Sequence, residues 1–204
     1  MADKKIIAVV GATGAQGAGL VRAILADRAG GFAVPAITRK PDSDKGRALA
    51  AAGAEVVAGD ADAPETLAPA FAGAHGVFVV TNFWEHFSAE RELAQAAAMA
   101  RATRQAGAAH VVWSTLEDTR QWIPLDDARV PTLHGKYKVA HFDVKAEADA
   151  IFAAEAAPTS YLVTSFYWDN FIHFGMGPRR GEDGKLGLAF ALGGAKLPGI
   201  AVAD

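Results

Sequence analysis

A short apolar run at 6–10 breaks at a glycine into Gly11-Ala12-Thr13-Gly14-Ala15-Gln16-Gly17 and continues as a helical stretch over 17–26. A buried strand that turns sharply on glycines into a helix leaves few architectures open. The alternation then repeats. Extended runs rich in β-branched residues stand at 32–38, 55–58, 77–80, 110–114 and 161–164. Helical stretches at 45–52, 64–71, 88–105 and 142–156 lie between them. Gly53 and Gly107 stand just past two helices and Pro158 just past the last, each where a helix stops. Strands alternating with helices in this way predict an α/β fold with a parallel sheet covered on both faces.

The chain has 204 residues, half of them hydrophobic (51%), enough to bury the core of one such domain. Residues 1–165 carry the whole alternation. After Trp168 the pattern weakens, and 175–198 is rich in glycine with one hairpin expected across 186–192. Residues 166–204 therefore read as the start of a smaller C-terminal subdomain, incomplete here. The segment 116–137, with two prolines and little periodicity, reads as a long loop over the site.

Charge and composition remove several classes of function. A formal net charge of −3 gives no electrostatic footprint for nucleic acid or an anionic membrane. The absence of cysteine excludes disulfides, thiolate metal sites and a cysteine nucleophile. The six histidines show no paired ligand spacing, so no metal site is expected. Neither a G-x-S-x-G elbow nor a Walker loop is present. No apolar stretch is long enough to span a membrane, and a soluble cytoplasmic protein is the reading.

The glycine loop is G-x-x-G-x-x-G, a variant of the dinucleotide fingerprint. Gly11 permits the tight turn off the strand, Gly14 leaves room for a pyrophosphate, and Gly17 lets the helix approach the sheet. The helix N-terminus behind the loop offers amides and a positive dipole end to phosphates, with Thr13 and Gln16 beside them. This context points to a Rossmann doubly wound sheet with strand order 3-2-1-4-5-6. At the end of the second strand, where an NAD site holds an acidic residue, the chain has Arg39 and Lys40. A guanidinium there would clamp a 2′-phosphate, so NADP(H) is expected over NAD(H); the alternative is a pair of solvated surface charges. Asp60, Ala61 and Asp62 end the third strand, beside the expected adenine position or in a simple Asx turn. Thr81, Asn82 and Phe83 close the fourth strand near the switch point and are expected to face the cofactor.

The chain resembles the NmrA-like proteins, an atypical branch of the short-chain dehydrogenase/reductases, from Lys4 to Asp204. The resemblance rests on the glycine loop, on Val80-Thr81-Asn82-Phe83-Trp84-Glu85, on Trp113-Ser114-Thr115-Leu116-Glu117, and on His141-Phe142-Asp143-Val144-Lys145. It implies one of two roles. Some members look like redox sensors that bind NADP(H) and act on a protein partner such as a transcription regulator. Others reduce quinones or other small carbonyl compounds. Members continue well past residue 204, which leads to the expectation of exposed apolar surface near the C-terminus and of a homodimer.

The resemblance also supplies a catalytic frame. Reductases of the wider superfamily use Tyr-x-x-x-Lys on the helix before the sixth strand. Here Lys145 is kept and His141 stands at the tyrosine position; Tyr137 lies one turn earlier, with His141 rather than lysine four residues on. Lys145 keeps a ribose-binding role. His141 is a candidate proton donor or a pocket-lining residue without chemistry, since a nearby ammonium disfavours the imidazolium. Ser114 and Thr115, at the end of the fifth strand, either line the nicotinamide pocket or simply finish the strand. Phe166 and Tyr167 are expected to wall the nicotinamide.

Overall fold

The computed structural model describes residues 4–27, 29–173, 175–190 and 192–202. They form two compact units, 1–163 and 164–204. The first opens with β1 (Lys5–Val10) and α1 (Ala15–Ala26). Next come β2 (Phe32–Ala33), β3 (Pro35–Thr38), α2 (Asp44–Ala51), β4 (Glu55–Ala58) and α3 (Leu67–Ala70). It is completed by β5 (Gly76–Val79), α4 (Ala89–Gln105), β6 (His110–Thr115), α5 (Ala140–Glu155) and β7 (Thr159–Val163).

The main sheet is parallel, in the order β4-β3-β1-β5-β6-β7, with β2 also paired to β1. The expected second strand, 32–38, is divided in two, yet both halves meet β1 in one register: Lys5 opposite Phe32, Val9 opposite Ala36. Pro35 lacks the N–H a continuous ladder needs, which accounts for the break. With β2 and β3 counted as one strand, the order is the doubly wound 3-2-1-4-5-6.

Burial on both faces follows from the strand period of two. On β1, Ala8 enters one core and its neighbour Val9 the other; on β5, Val77 and Val79 enter the first and Phe78 the second. The first core lies under α3, α4 and α5 and holds the stacked pair Trp113–Phe152, with ring centroids 4.4 Å apart. The second lies under α1 and α2. Local chemistry sets the helix ends. Ser43 and Ser88 accept the N–H of Gly46 and Arg91 as N-caps, and Gly53 and Gly107 take the positive φ that ends a helix. At the sheet edge, Tyr161, Leu162 and Val163 of β7 are exposed. No helix among the described residues is long and apolar enough to cross a membrane.

The second unit contains β8 (Phe166–Tyr167), α6 (Asn170–His173), β9 (Arg179–Arg180), β10 (Leu186–Gly187) and β11 (Gly199–Ile200). β8 pairs in parallel with β11, and β9 forms a hairpin with β10. The hairpin therefore lies earlier than the expected 186–192, with Leu186 opening its second strand. Its turn is made by Glu182-Asp183-Gly184, where Asp183 accepts the Lys185 N–H and Gly184 sits at φ +75°. Ala191, within the expected range, lies outside the described residues. Phe166, Trp168, Phe171 and Phe190 pack as an aromatic cluster, while Ile172, Leu186 and Leu188 are exposed.

Candidate functional site

Because the central strands run parallel, their carboxyl ends share one edge. Gly11, Arg39, Asp60, Thr81 and Ser114 follow or close β1, β3, β4, β5 and β6 along it. The glycine loop has the geometry its composition demands. Gly11 sits at φ +66°, a left-handed conformation that side chains disfavour. Ala12 N–H donates to the Ile37 carbonyl and Gly14 N–H to that of Gly11, folding the loop onto β3. A Cβ on Gly17 would stand 2.3 Å from the Gly11 oxygen and 2.9 Å from Ala12 Cα, so α1 is seated directly on the loop. The N-cap is Gly14, which offers no side-chain acceptor, and the first turn of α1 carries no acidic residue. α2 and α4, by contrast, have serine caps and acidic first turns. The positive end of α1 thus has no counter-charge or side-chain cap from its own first turn.

Two contacts tie distant residues to this loop. Ser114 donates to Gln16 Oε1 at 2.7 Å, fixing the glutamine against the end of β6. Lys45, which the sequence did not single out, reaches from α2 to within 3.5 Å of the Thr13 carbonyl. Arg39 is exposed beyond β3 and paired with Glu85, Nη1 to Oε1 2.7 Å. Lys40 is exposed beside it, its backbone N–H directed to Thr38 Oγ1 at 3.3 Å.

The β4 end forms an Asx turn: Asp60 Oδ1 accepts the Asp62 N–H at 3.0 Å, with Ala61 partly buried between them. Asp62 in turn receives Arg91 Nε at 3.0 Å and Gln95 Nε2 at 2.9 Å. The Arg91 hydrogen bond above all, with help from Gln95, holds the Asp62 carboxyl at about 2 against an ordinary 3.8, despite the opposing effect of burial. Folded Asp62 therefore binds a proton less readily than unfolded Asp62. Its stabilisation is present above pH 3.8 and is lost as pH falls through about 2. Acid titration of stability in D62N is expected to be flatter than wild type over that window; an identical profile would contradict the assignment.

The buried centre of the edge is a polar network. Lys145 Nζ lies 2.9 Å from the Thr81 carbonyl, 2.6 Å from Thr81 Oγ1 and 3.0 Å from Glu92 Oε1. Thr81 Oγ1 donates to Glu92 Oε1 at 2.5 Å, and the Lys145 ammonium stands 5.1 Å above the Trp113 ring. Glu92 is wholly buried, and its second oxygen has no hydrogen-bond partner among the described residues. His86 Nε2 lies 3.7 Å from that oxygen, and its Nδ1 accepts the Ser88 N–H, which puts the proton of the neutral ring on Nε2. Burial lowers the pKa of Lys145, opposed chiefly by Glu92.

His141 is half-buried, with its ring 4.4 Å from that of Trp84 and 6.3 Å from Phe83. Burial first, then the Lys145 charge, lowers its pKa, which biases the ring toward its neutral form. Tyr137 is buried and donates its hydroxyl to Glu147 at 3.1 Å. Asn82 is exposed and Phe83 buried in the turn after β5. Phe166 and Tyr167 form β8 of the second unit. The structure thus brings Gly11, Thr13, Gly14, Gln16, Gly17 and Ser114 together, and joins Thr81 to Lys145.

A strand, a glycine cradle and a parallel sheet of this order are shared by many proteins, and the profile that matches this chain is more specific. The NmrA-like family profile covers residues 3–194. The chain belongs to the NmrA-like family. Among NmrA-like relatives, an oxidoreductase notA of Aspergillus sp. is 48% identical over 80 residues, which are 39% of this chain and 23% of that protein. The solved structure of NmrA, a negative transcriptional regulator, superposes with a TM-score of 0.78 at 24% identity, over 98% of this chain and 59% of that one; it has been solved with NADP and with NAD. The Citrobacter sp. triphenylmethane reductase complexed with NADP(H) gives a TM-score of 0.64 at 24% identity, over 84% of this chain and 53% of that one. These structures show the NmrA-like fold. The chain spans about three-fifths or less of the length of these proteins.

Proposed function

We propose that this NmrA-like chain binds NADP(H) along the carboxyl edge of its main sheet and acts as a redox-responsive regulator through contact with a protein partner such as a transcription regulator. The cradle fits a dinucleotide: a Cβ at Gly17 would collide with the loop, and the α1 N-terminus has neither a side-chain cap nor an acidic first turn. Gly11, Thr13, Gly14, Gln16 and Gly17 would hold the pyrophosphate, Arg39 and Lys40 the 2′-phosphate, and Asp60 and Ala61 the adenine. Thr81, Asn82, Phe83, Ser114 and Lys145 would lie toward the nicotinamide. The relatives' NADP and NAD complexes support this reading.

The observation that favours a sensor is the state of the proton donors. His141 replaces the tyrosine of the reductase motif and is biased toward its neutral form by burial and by Lys145, while the Tyr137 hydroxyl is committed to Glu147. A neutral imidazole keeps only an N–H far less acidic than an imidazolium or a phenol, so a ring biased toward that form is a weaker proton donor than the tyrosine it replaces. Lys145 is likewise committed, to Thr81 and Glu92, and its task is to position. A bound NADPH would supply a transferable hydride. The second reading, a reductase of quinones or similar carbonyl acceptors, is favoured by the oxidoreductase names of the fungal relatives and by triphenylmethane reductase. A cytoplasmic location belongs to both readings. So does a homodimer, motivated by the exposed Leu162, Val163 and Ile172 and decided by molar mass in solution.

The experiment is NADPH oxidation across a panel of quinones, with binding followed in parallel. Binding without turnover, unchanged in His141→Ala, is the expected result. Steady turnover that vanishes in His141→Ala would replace the sensor with the reductase.

A further inference from the structure

The acidic residue that an NAD site keeps at the end of the second strand is absent here, yet a carboxylate stands at that place all the same. Glu85 comes from the turn after β5 and closes on Arg39 at 2.7 Å. The turn that carries it is well anchored: Phe83 is buried, and Glu85 N–H donates to the Asn82 carbonyl at 3.2 Å. Both side chains of the pair remain partly solvated, at 47% and 40% exposure, so the contact can open without unfolding anything. The other carboxylates of this edge are differently engaged. Asp62 is taken by Arg91 and Gln95, and Asp60 by its own Asx turn. Glu85 alone among these three bonds the guanidinium on which NADP selection rests.

A carboxylate and a phosphate seek the same fork of donors on an arginine. We infer that Glu85 is a specificity-determining residue: its carboxylate competes with the 2′-phosphate for Arg39 and so narrows the preference for NADP(H) over NAD(H). This rests on the proposal that a dinucleotide lies along this edge with Arg39 at its 2′ position. NADP⁺ must break the Arg39–Glu85 pair to reach the guanidinium, and leaves Glu85 as a like charge beside its phosphate. NAD⁺ brings no anion to that point and leaves the pair closed.

The test is calorimetric titration of wild type, E85Q, R39A and the R39A/E85Q double variant with NADP⁺ and NAD⁺. The pair lies on the surface, so E85Q should keep the fold, which a thermal melt verifies. In E85Q the affinity for NADP⁺ should rise about fivefold, the upper range for a solvated ion pair, with NAD⁺ affinity unchanged. In the R39A background, where only the repulsion between Glu85 and the phosphate remains, E85Q should raise NADP⁺ affinity by less than in wild type and leave NAD⁺ unchanged. An E85Q variant with the wild-type ratio of affinities overturns the inference while leaving the cofactor reading intact, provided R39A loses the preference for NADP⁺. An R39A variant that keeps that preference overturns both, because Arg39 would then not meet the 2′-phosphate.

Discussion

Replacing Gly17 with valine is expected to abolish dinucleotide binding and to lower the thermal midpoint by up to about 12 °C. The added Cβ would stand 2.3 Å from the Gly11 oxygen, 2.7 Å from its carbonyl carbon and 2.9 Å from Ala12 Cα. All three are backbone atoms of the loop that makes the cradle, so nothing flexible can yield. Either α1 lifts from the sheet or the loop deforms. Overpacking of this kind costs up to about 3 kcal/mol, and a chain of this size loses about 2–4 °C per kcal/mol. Deformation moves the Gly14 amide and the α1 N-terminus out of the phosphate position, so binding fails even where the fold survives. Gly31→Ala is the control: apart from its chain neighbours, no described residue has an atom within 4 Å of its Cβ position, and binding and melting should match wild type. A Gly17→Val variant that binds normally would show that α1 need not rest on the loop.

The second large effect is expected at Glu92. Truncation to alanine removes the buried partner of the Lys145 ammonium and should cost about 3–5 kcal/mol, because a charge is left in the interior without its counterion. Glu92→Met combined with Lys145→Met should recover most of that loss, since two apolar side chains of similar volume need no pairing. The pH dependence has a definite sign. Burial already places the folded pKa of Lys145 below its ordinary 10.5, and Glu92 is the main influence holding it up. Without Glu92 the folded protein sheds that proton more readily than the unfolded chain. The penalty is then full below the folded pKa and is relieved as pH rises toward 10.5. Denaturant melts of Glu92→Ala at pH 7 and pH 9 should show a smaller deficit at the higher pH. A deficit below about 1 kcal/mol, or one that grows with pH, would contradict the pairing.

Glu92 also marks where the sequence stops being legible. It stands in Ala89-Glu90-Arg91-Glu92, a charged first turn of the kind that complements a helix dipole on a solvated face. Its burial follows from the rotation of α4 against α5, which the one-dimensional pattern does not carry. The same holds for contacts between distant segments: Ser114 with Gln16, Arg39 with Glu85, Lys45 over Thr13. What could be read was periodic or local. The alternation of strands and helices predicts the parallel sheet and its order, and the glycine spacing predicts the tight loop and the seated helix, as found. Pro35, inside an otherwise continuous run, was a visible signal that the second strand would be interrupted. Asp183-Gly184 is a visible turn signal that places the hairpin at Arg179–Gly187, ahead of the expected 186–192.

Dinucleotide binding along this edge is proposed to run through the glycine loop and Arg39. Direct calorimetric titration of the 204-residue chain with NADP⁺ and with NAD⁺ tests it. NADP⁺ should bind saturably at one site per chain, more tightly than NAD⁺. Saturable binding in which NAD⁺ is the tighter ligand would contradict the role given to Arg39, and no heat from either dinucleotide would contradict the site itself.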